Sequence, residues 1–185
     1  MTATTGDFPD TGGPIEVMAE DPRWAALDLS TLANRAASAA LTDHGLDPAA
    51  VEIALLACDD ARILELNRAF RGKPQPTNVL SWPADDLGAE IDGERPAPVR
   101  VGQQGQPESL GDIALSIDTC TAEAQAQGKP IEAHVMHLVV HAVLHLLGYD
   151  HERDRDAALM ENTEARILAL LGLPDPYGPE DTQPD

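Results

Sequence analysis

HVMHLVVHAVLHLLGYDHE, residues 134–152, is the stretch from which the rest of the chain can be read. Its apolar residues belong to a helix predicted from Ile131 to about Leu147. His141 and His145 stand four residues apart, which puts both imidazoles on one helical face about one turn apart. Gly148 then lets the helix end and the chain reverse. His151 follows on the returning segment, so three imidazoles can meet at one point from two directions. Three such ligands fit one tetrahedral Zn²⁺ with its fourth position open to water, the arrangement of a catalytic site.

The run His-x-x-x-His-x-x-Gly-x-x-His matches the metzincin ligand pattern except at one position. Metzincins place a Glu directly after the first histidine as general base, and here that residue is Ala142. The ligands are present and the peptidase base is missing, so a metal with water is expected and peptide hydrolysis is disfavoured. His134 lies about 10 Å along the helix axis from His141, too far for the same ion. A histidine on an apolar helix is usually a satisfied core residue, so His134 and His137 are assigned structural or ligand-supporting roles. His44, isolated near a helix end, reads as a capping or solvent-exposed residue.

Around this segment, 185 residues with 43% hydrophobic content suffice for one domain with a real core. A formal charge of −20 argues against a protein that coats nucleic acid or anionic membranes through bulk electrostatics. Any nucleic-acid contact must then be local. No apolar stretch approaches the roughly 18–20 residues of a membrane span. The start, MTATTGDFPDTGGP, lacks the basic and apolar regions of a secretory signal, and the expected location is cytoplasmic. Cys58 and Cys120 cannot build a disulfide framework or a cysteine zinc cage, and read as small buried hydrophobes.

Residues 1–14 and 174–185 read as solvated tails flanking a single metal-dependent hydrolase domain over 15–173. Strands are expected at Ile15–Met18, 51–58, 78–82 and 111–117. Helices are expected over 28–44 with Ser30 as N-cap and Gly45 as stop, over 59–70, from about Asp118 to 128, and from about Asp156 to Leu171 with Gly172 as cap. Residues 84–110 show no periodicity and read as a long surface loop near a site. The fold class is α/β or α+β: a small mixed sheet of about four strands packed with helices, and the zinc site at the end of a central apolar helix.

Four of the twelve basic residues, Arg62, Arg68, Arg71 and Lys73, fall close together, opposed only by Glu65. Arg62 and Arg68 read as a solvated helix face. Arg71 and Lys73 flank Gly72 where a helix meets a proline-containing loop, a place suited to gripping an anion. The planar fork of Arg71 matches a phosphate. Beside a metal site, this points to phosphodiester cleavage, with activated water as nucleophile and Arg71 neutralising phosphate charge.

FRGKPQPTNVLSWP (70–83), GDIALSI (111–117), EAQAQGKPIEAH (123–134), HAVLHLLGYDH (141–151) and LGLPDPY (171–177) together resemble the YbeY family of bacterial endoribonucleases. The resemblance spans roughly residues 50–177. It implies an α/β fold around a four-stranded mixed sheet and a zinc-dependent hydrolase of single-stranded RNA. It also implies a role at the 3′ end of 16S rRNA and in ribosome quality control, with the ribosome or its proteins as partners and no DNA. By position, the family's zinc ligands fall on His141, His145 and His151, and its functional arginine on Arg71. The charged pair usual after RGK is Pro74-Gln75 here, and the 84–110 segment is longer than in the family.

The general base is open at this level. Asp150 is a candidate base or orienter of a ligand, and equally a turn residue capping the last helix. Thr77 and Asn78 are candidates to line the cleft, with strand-edge bonding as the other explanation. Two other functions are kept: an RNA-binding ribosome-assembly factor with a structural zinc, and a divergent metallopeptidase. Structural zinc sites use four protein ligands, and this one offers three.

Overall fold

Val51–Cys58 (β2) is the axis of the fold, and its residue pattern says how it is covered. Val51, Ile53 and Leu55 are buried and alternate with more exposed neighbours, while Ala57 and Cys58 are buried in succession. One sheet face is therefore covered along the whole strand and the other only near its end. A computed structural model of the chain describes residues 12–102 and 105–178. Ile15–Ala19 (β1) and Glu108–Ser116 (β4) flank β2 in parallel. Val79–Pro83 (β3) joins β4 antiparallel, giving the sheet order β1-β2-β4-β3.

Among the described residues, five α-helices pack with the sheet: Leu29–Asp43 (α1), Asp60–Arg71 (α2), Ile117–Ala126 (α3), Ile131–Leu146 (α4) and Asp154–Leu170 (α5). The α/β expectation with a four-stranded mixed sheet is met. The central helix α4 buries Val135, Val139, Val140 and Val143 completely, in one core with Ile53, Leu55, Ile113 and Leu115 of the sheet and with α1 and α5. Each such side chain contributes on the order of 1.5–3 kcal/mol. Ile63 of α2 covers the opposite face, with Cys58, Leu80 and Ala114. No helix among the described residues is long and apolar enough to cross a membrane.

Several boundaries differ from the sequence reading. The first helix starts at Leu29 with Asp28, not Ser30, as N-cap, because the first helical bond runs from the Leu32 amide to the Asp28 carbonyl. Gly45 does end it, at φ +71°. The last helix begins two residues earlier than expected, at Asp154, and Gly172 follows its C-cap Leu171 in the left-handed region. β4 begins at Glu108 rather than Gly111. Gly111 hides the continuity: it sits at φ +129°, and a Cβ there would lie 2.1 Å from the Trp82 carbonyl oxygen. The register shift in the β2–β4 pairing falls beside it.

The aperiodic connection from β3 to β4 is fastened to the start of α5. The Arg153 guanidinium donates to the carbonyls of Ala89 and Glu90 at 2.7 and 2.9 Å. Asp156 accepts the Gly93 amide at 2.8 Å, and Asp92 accepts the Asp156 amide at 2.9 Å. Leu87 lies directly on Gly148, where an added Cβ would come within 2.8 Å of its backbone. Residues 85–88 thereby become a wall of the site.

Of the two expected tails, residues 1–11 and 179–185 lie outside the described residues. The described part of the second folds back onto the helices, because Tyr177 donates its hydroxyl to Glu164 at 3.0 Å.

Candidate metal centre

His141 and His145 reach the end of α4 on one face, with their Nε2 atoms 3.1 Å apart. Each Nδ1 is already engaged. His145 Nδ1 donates to the Tyr149 carbonyl at 2.9 Å, and His141 Nδ1 to Glu164 Oε2 at 3.0 Å. A carbonyl and a carboxylate only accept, so each Nδ1 carries a proton and each ring turns its Nε2 toward the other. Two Nε2 atoms aimed at each other at 3.1 Å are spaced as two ligands of one shared cation would be. Zinc–nitrogen bonds of about 2.0–2.1 Å at a tetrahedral angle place two nitrogens roughly 3.3 Å apart. The donor set fits a metal ion.

His151 completes the group from the segment after Gly148, and one ligand atom from each of the three histidines lies within 4.8 Å of the others. Gly148 reverses the chain at φ +100°, a conformation that favours glycine. Burial, reinforced by His141 and His151, pushes the His145 pKa down to about 4, so the ring is neutral as a ligand must be.

Glu164, fully buried on α5, accepts from His137 Nε2, His141 Nδ1 and the Tyr177 hydroxyl. Burial alone would raise its pKa, but the bonds from His137 and His141 outweigh that and hold it at about 2. His134 supports a different contact: its Nε2 meets Glu123 Oε2 at 2.7 Å, and Glu123 in turn accepts from Asn78 at 3.0 and 3.2 Å. Burial lowers the His134 pKa. His44 is the C-cap of α1, as the capping reading expects, and it is not free in solvent: its two ring nitrogens meet the Ala40 carbonyl at 2.7 Å and the Tyr149 hydroxyl at 2.9 Å.

The three histidines open into a cleft of about 910 Å³. Arg71 and Lys73 reach it from the end of α2, Thr77 and Asn78 from the approach to β3, Asp85 and Asp86 from the long connection, and Asp150 from the turn. Arg71 and Lys73 are exposed and form no ion pair among the described residues. Arg62 faces elsewhere and pairs with Glu20 and Glu65 at 3.3 and 3.5 Å. Asp150 accepts the His151 amide on Oδ1 at 2.7 Å. It does not cap α5, whose N-cap is Arg153. Ala142 lines the cleft where a metzincin would carry its glutamate.

Glu164 escaped the sequence reading, although a signal was there. It lies on the buried stripe formed by Met160, Thr163, Ile167 and Leu168, an acid where the helix is otherwise turned inward. Glu123 offered no such sign.

The family model described as Endoribonuclease YbeY matches residues 15–172. A protein named Endoribonuclease YbeY from Ruegeria pomeroyi is 58% identical over 163 residues, covering 88% of this chain and 97% of its own length. A relative of the same name from Dinoroseobacter shibae is 50% identical over 179 residues, covering 96% of this chain and 97% of its own. The solution structure of TM1509 from Thermotoga maritima, at 18% identity, has the same fold with a TM-score of 0.51, covering 89% of this chain and 99% of that one. On the matched family model and these relatives, the chain belongs to the Endoribonuclease YbeY family.

Proposed function

We propose that this protein is a zinc-dependent endoribonuclease that cuts single-stranded RNA in rRNA processing, at the 3′ end of 16S rRNA and in ribosome quality control. The observation that carries the reading is the pair of His141 and His145 Nε2 atoms facing each other at 3.1 Å, at the floor of a cleft whose mouth holds two cations without an ion pair among the described residues. His141, His145 and His151 would hold the ion. Three imidazoles favour zinc among borderline metals, with nickel the nearest competitor. Bound there, the ion supplies Lewis acidity and a water of lowered pKa.

The chain's own residues do the rest. Arg71 grips the phosphate and offsets charge developing on its oxygens, while Lys73 adds a point charge at the mouth. Glu164 and the Tyr149 carbonyl fix the tautomers and ring planes of His141 and His145. Asp150 Oδ1 is held by the His151 amide, and Oδ2 is the proposed acceptor for the proton released during attack. Ribosomal components supply the affinity that an acidic surface denies to free RNA, in the cytoplasm and without a role for DNA.

Purified protein of measured metal content, incubated with single-stranded RNA, duplex RNA and a peptide panel, tests the assignment. Single-stranded RNA should be cut, and His141→Ala and Arg71→Ala should abolish or cripple cutting. Cleavage persisting unchanged in metal-free His141→Ala protein would sink it. RNA binding without cleavage would indicate an assembly factor, and peptide cleavage alone a peptidase.

A further inference from the structure

Phe70 and Trp82 meet beside the metal cleft with ring centroids 5.3 Å apart at an interplanar angle of 66°. The chain has only two Phe, two Trp and two Tyr, so a third of its aromatic side chains are spent on this one surface contact. Trp82 is seated on the small cluster of Cys58, Ile63, Leu80 and Ala114, whereas Phe70 is 65% exposed. A single exposed Phe needs no explanation on its own. Its neighbours give this one a meaning. Phe70 is bracketed by Arg68, Arg71 and Lys73, all exposed and without an ion pair among the described residues. On a chain of charge −20, three cations close in sequence to Phe70 and without an ion pair among the described residues favour a polyanion with flat, apolar faces, with Asp112, directly across the ladder from Trp82, as the acid nearest in the strand pairing.

Ser81 and Pro83 line the metal cleft, and Trp82 between them points to the other face of the sheet. β3 is the last strand in the sheet, so only its free edge separates the two sides. The Asn78 carbonyl accepts the Ser116 amide and the Ala84 amide donates to the Leu110 carbonyl. By the alternation of an antiparallel ladder, the backbone groups of Val79 and Ser81 therefore point outward along that edge. The Val79 amide is taken by the Asn78 side chain at 2.7 Å, which leaves the Ser81 amide facing the approach.

We propose that Phe70 and Trp82 form a stacking platform for a nucleobase that flanks the cut phosphodiester, the RNA strand passing from the metal cleft around the edge of β3. The proposal rests on the endoribonuclease reading above. It makes the preference for single strands physical, because a paired base has no face free to stack.

The fluorescence of Trp82 reads this contact directly. Trp24, the other tryptophan, is 1% exposed and donates its ring N–H to the Cys58 carbonyl, so it is shielded from a bound ligand. Metal-loaded protein is titrated with an oligoadenylate and with an oligonucleotide of equal length whose bases are removed, and steady-state cleavage is measured in parallel. Tryptophan emission should change with oligoadenylate. Phe70→Ala, an exposed position, should weaken oligoadenylate binding at least about 5-fold and raise KM with kcat little changed. The abasic strand should bind wild type and Phe70→Ala alike. Equal oligoadenylate affinity for both proteins, with cleavage intact, would overturn the platform and leave the nuclease standing. Equal losses on both strands would also overturn it, by showing a structural effect. Failure of the wild type to bind or cut any RNA would remove the endoribonuclease reading itself.

Discussion

Glu164 accepts from His141 Nδ1 at 3.0 Å and from His137 on the same helix, so one buried carboxylate sets the ring of a proposed metal ligand and of its neighbour one turn earlier. Tyr177 closes the arrangement from the far end of the chain. The bond to His141 makes Nε2 the ligating nitrogen and raises its basicity. Glu164→Gln keeps the shape but gives up the charge, and metal affinity should fall by about 10–100-fold in a chelator competition. Tyr177→Phe removes only one of three donors and should cost much less.

The convergence of His141, His145 and His151 was legible in the sequence because its geometry is local. His141 and His145 share one helix, and a single glycine brings His151 back. Glu164 was not assigned because its contact to His141 spans 23 residues between two helices, and no spacing rule reaches that far. The β3–β4 connection was legible as aperiodic, but its order was invisible. That order comes from Arg153, Asp92 and Asp156 bonding to individual backbone groups, which leave no hydrophobic period behind. The α2–β3 region showed its cations in sequence. The freedom of Arg68, Arg71 and Lys73 from carboxylate partners among the described residues, unlike Arg62, is a property of the folded surface.

Gly148→Ala should both destabilise the domain and loosen the metal site. The residue sits at φ +100°, and the new Cβ would lie 2.8 Å from Leu87 backbone and side-chain atoms. Strain of this kind costs about 1–3 kcal/mol, which corresponds to a melting temperature lower by roughly 2–10 °C. Movement of Leu87 also shifts the cleft wall, so metal affinity should fall with it. A melting curve and metal titration indistinguishable from wild type would contradict the observed approach.

The two thiols should be silent in the native protein. Burial pushes the pKa of both Cys58 and Cys120 up to about 12. At pH 8 both remain protonated, and a thiol reagent should titrate neither until denaturant is added. The folded state keeps these protons while the unfolded thiols lose them from about pH 8.5. The unfolded state therefore binds fewer protons above that pH, and stability should decline toward pH 12. Denaturant midpoints measured across this range should show a shallower decline for Cys120→Ala than for wild type.

The salt dependence of RNA binding should be shallow. An acidic body opposes the phosphate backbone in general, and the cations beside the metal cleft are Arg68, Arg71 and Lys73. Three cations engaging a single strand give a slope of log affinity against log salt of about −2. Arg71→Ala should reduce that slope by nearly one and lower kcat by about 10²-fold, since its proposed role serves the transition state as well as the ground state. Lys73→Ala should reduce the slope by a similar amount while sparing most of kcat. A slope far steeper than −2 for free RNA would mean that the strand engages cations beyond this notch, such as Arg95 or Arg100 on the β3–β4 connection. Charge alone would then bring RNA to the enzyme. A shallow slope instead assigns the missing affinity to a partner, because three contacts at physiological ionic strength leave a substrate this highly charged only weakly held.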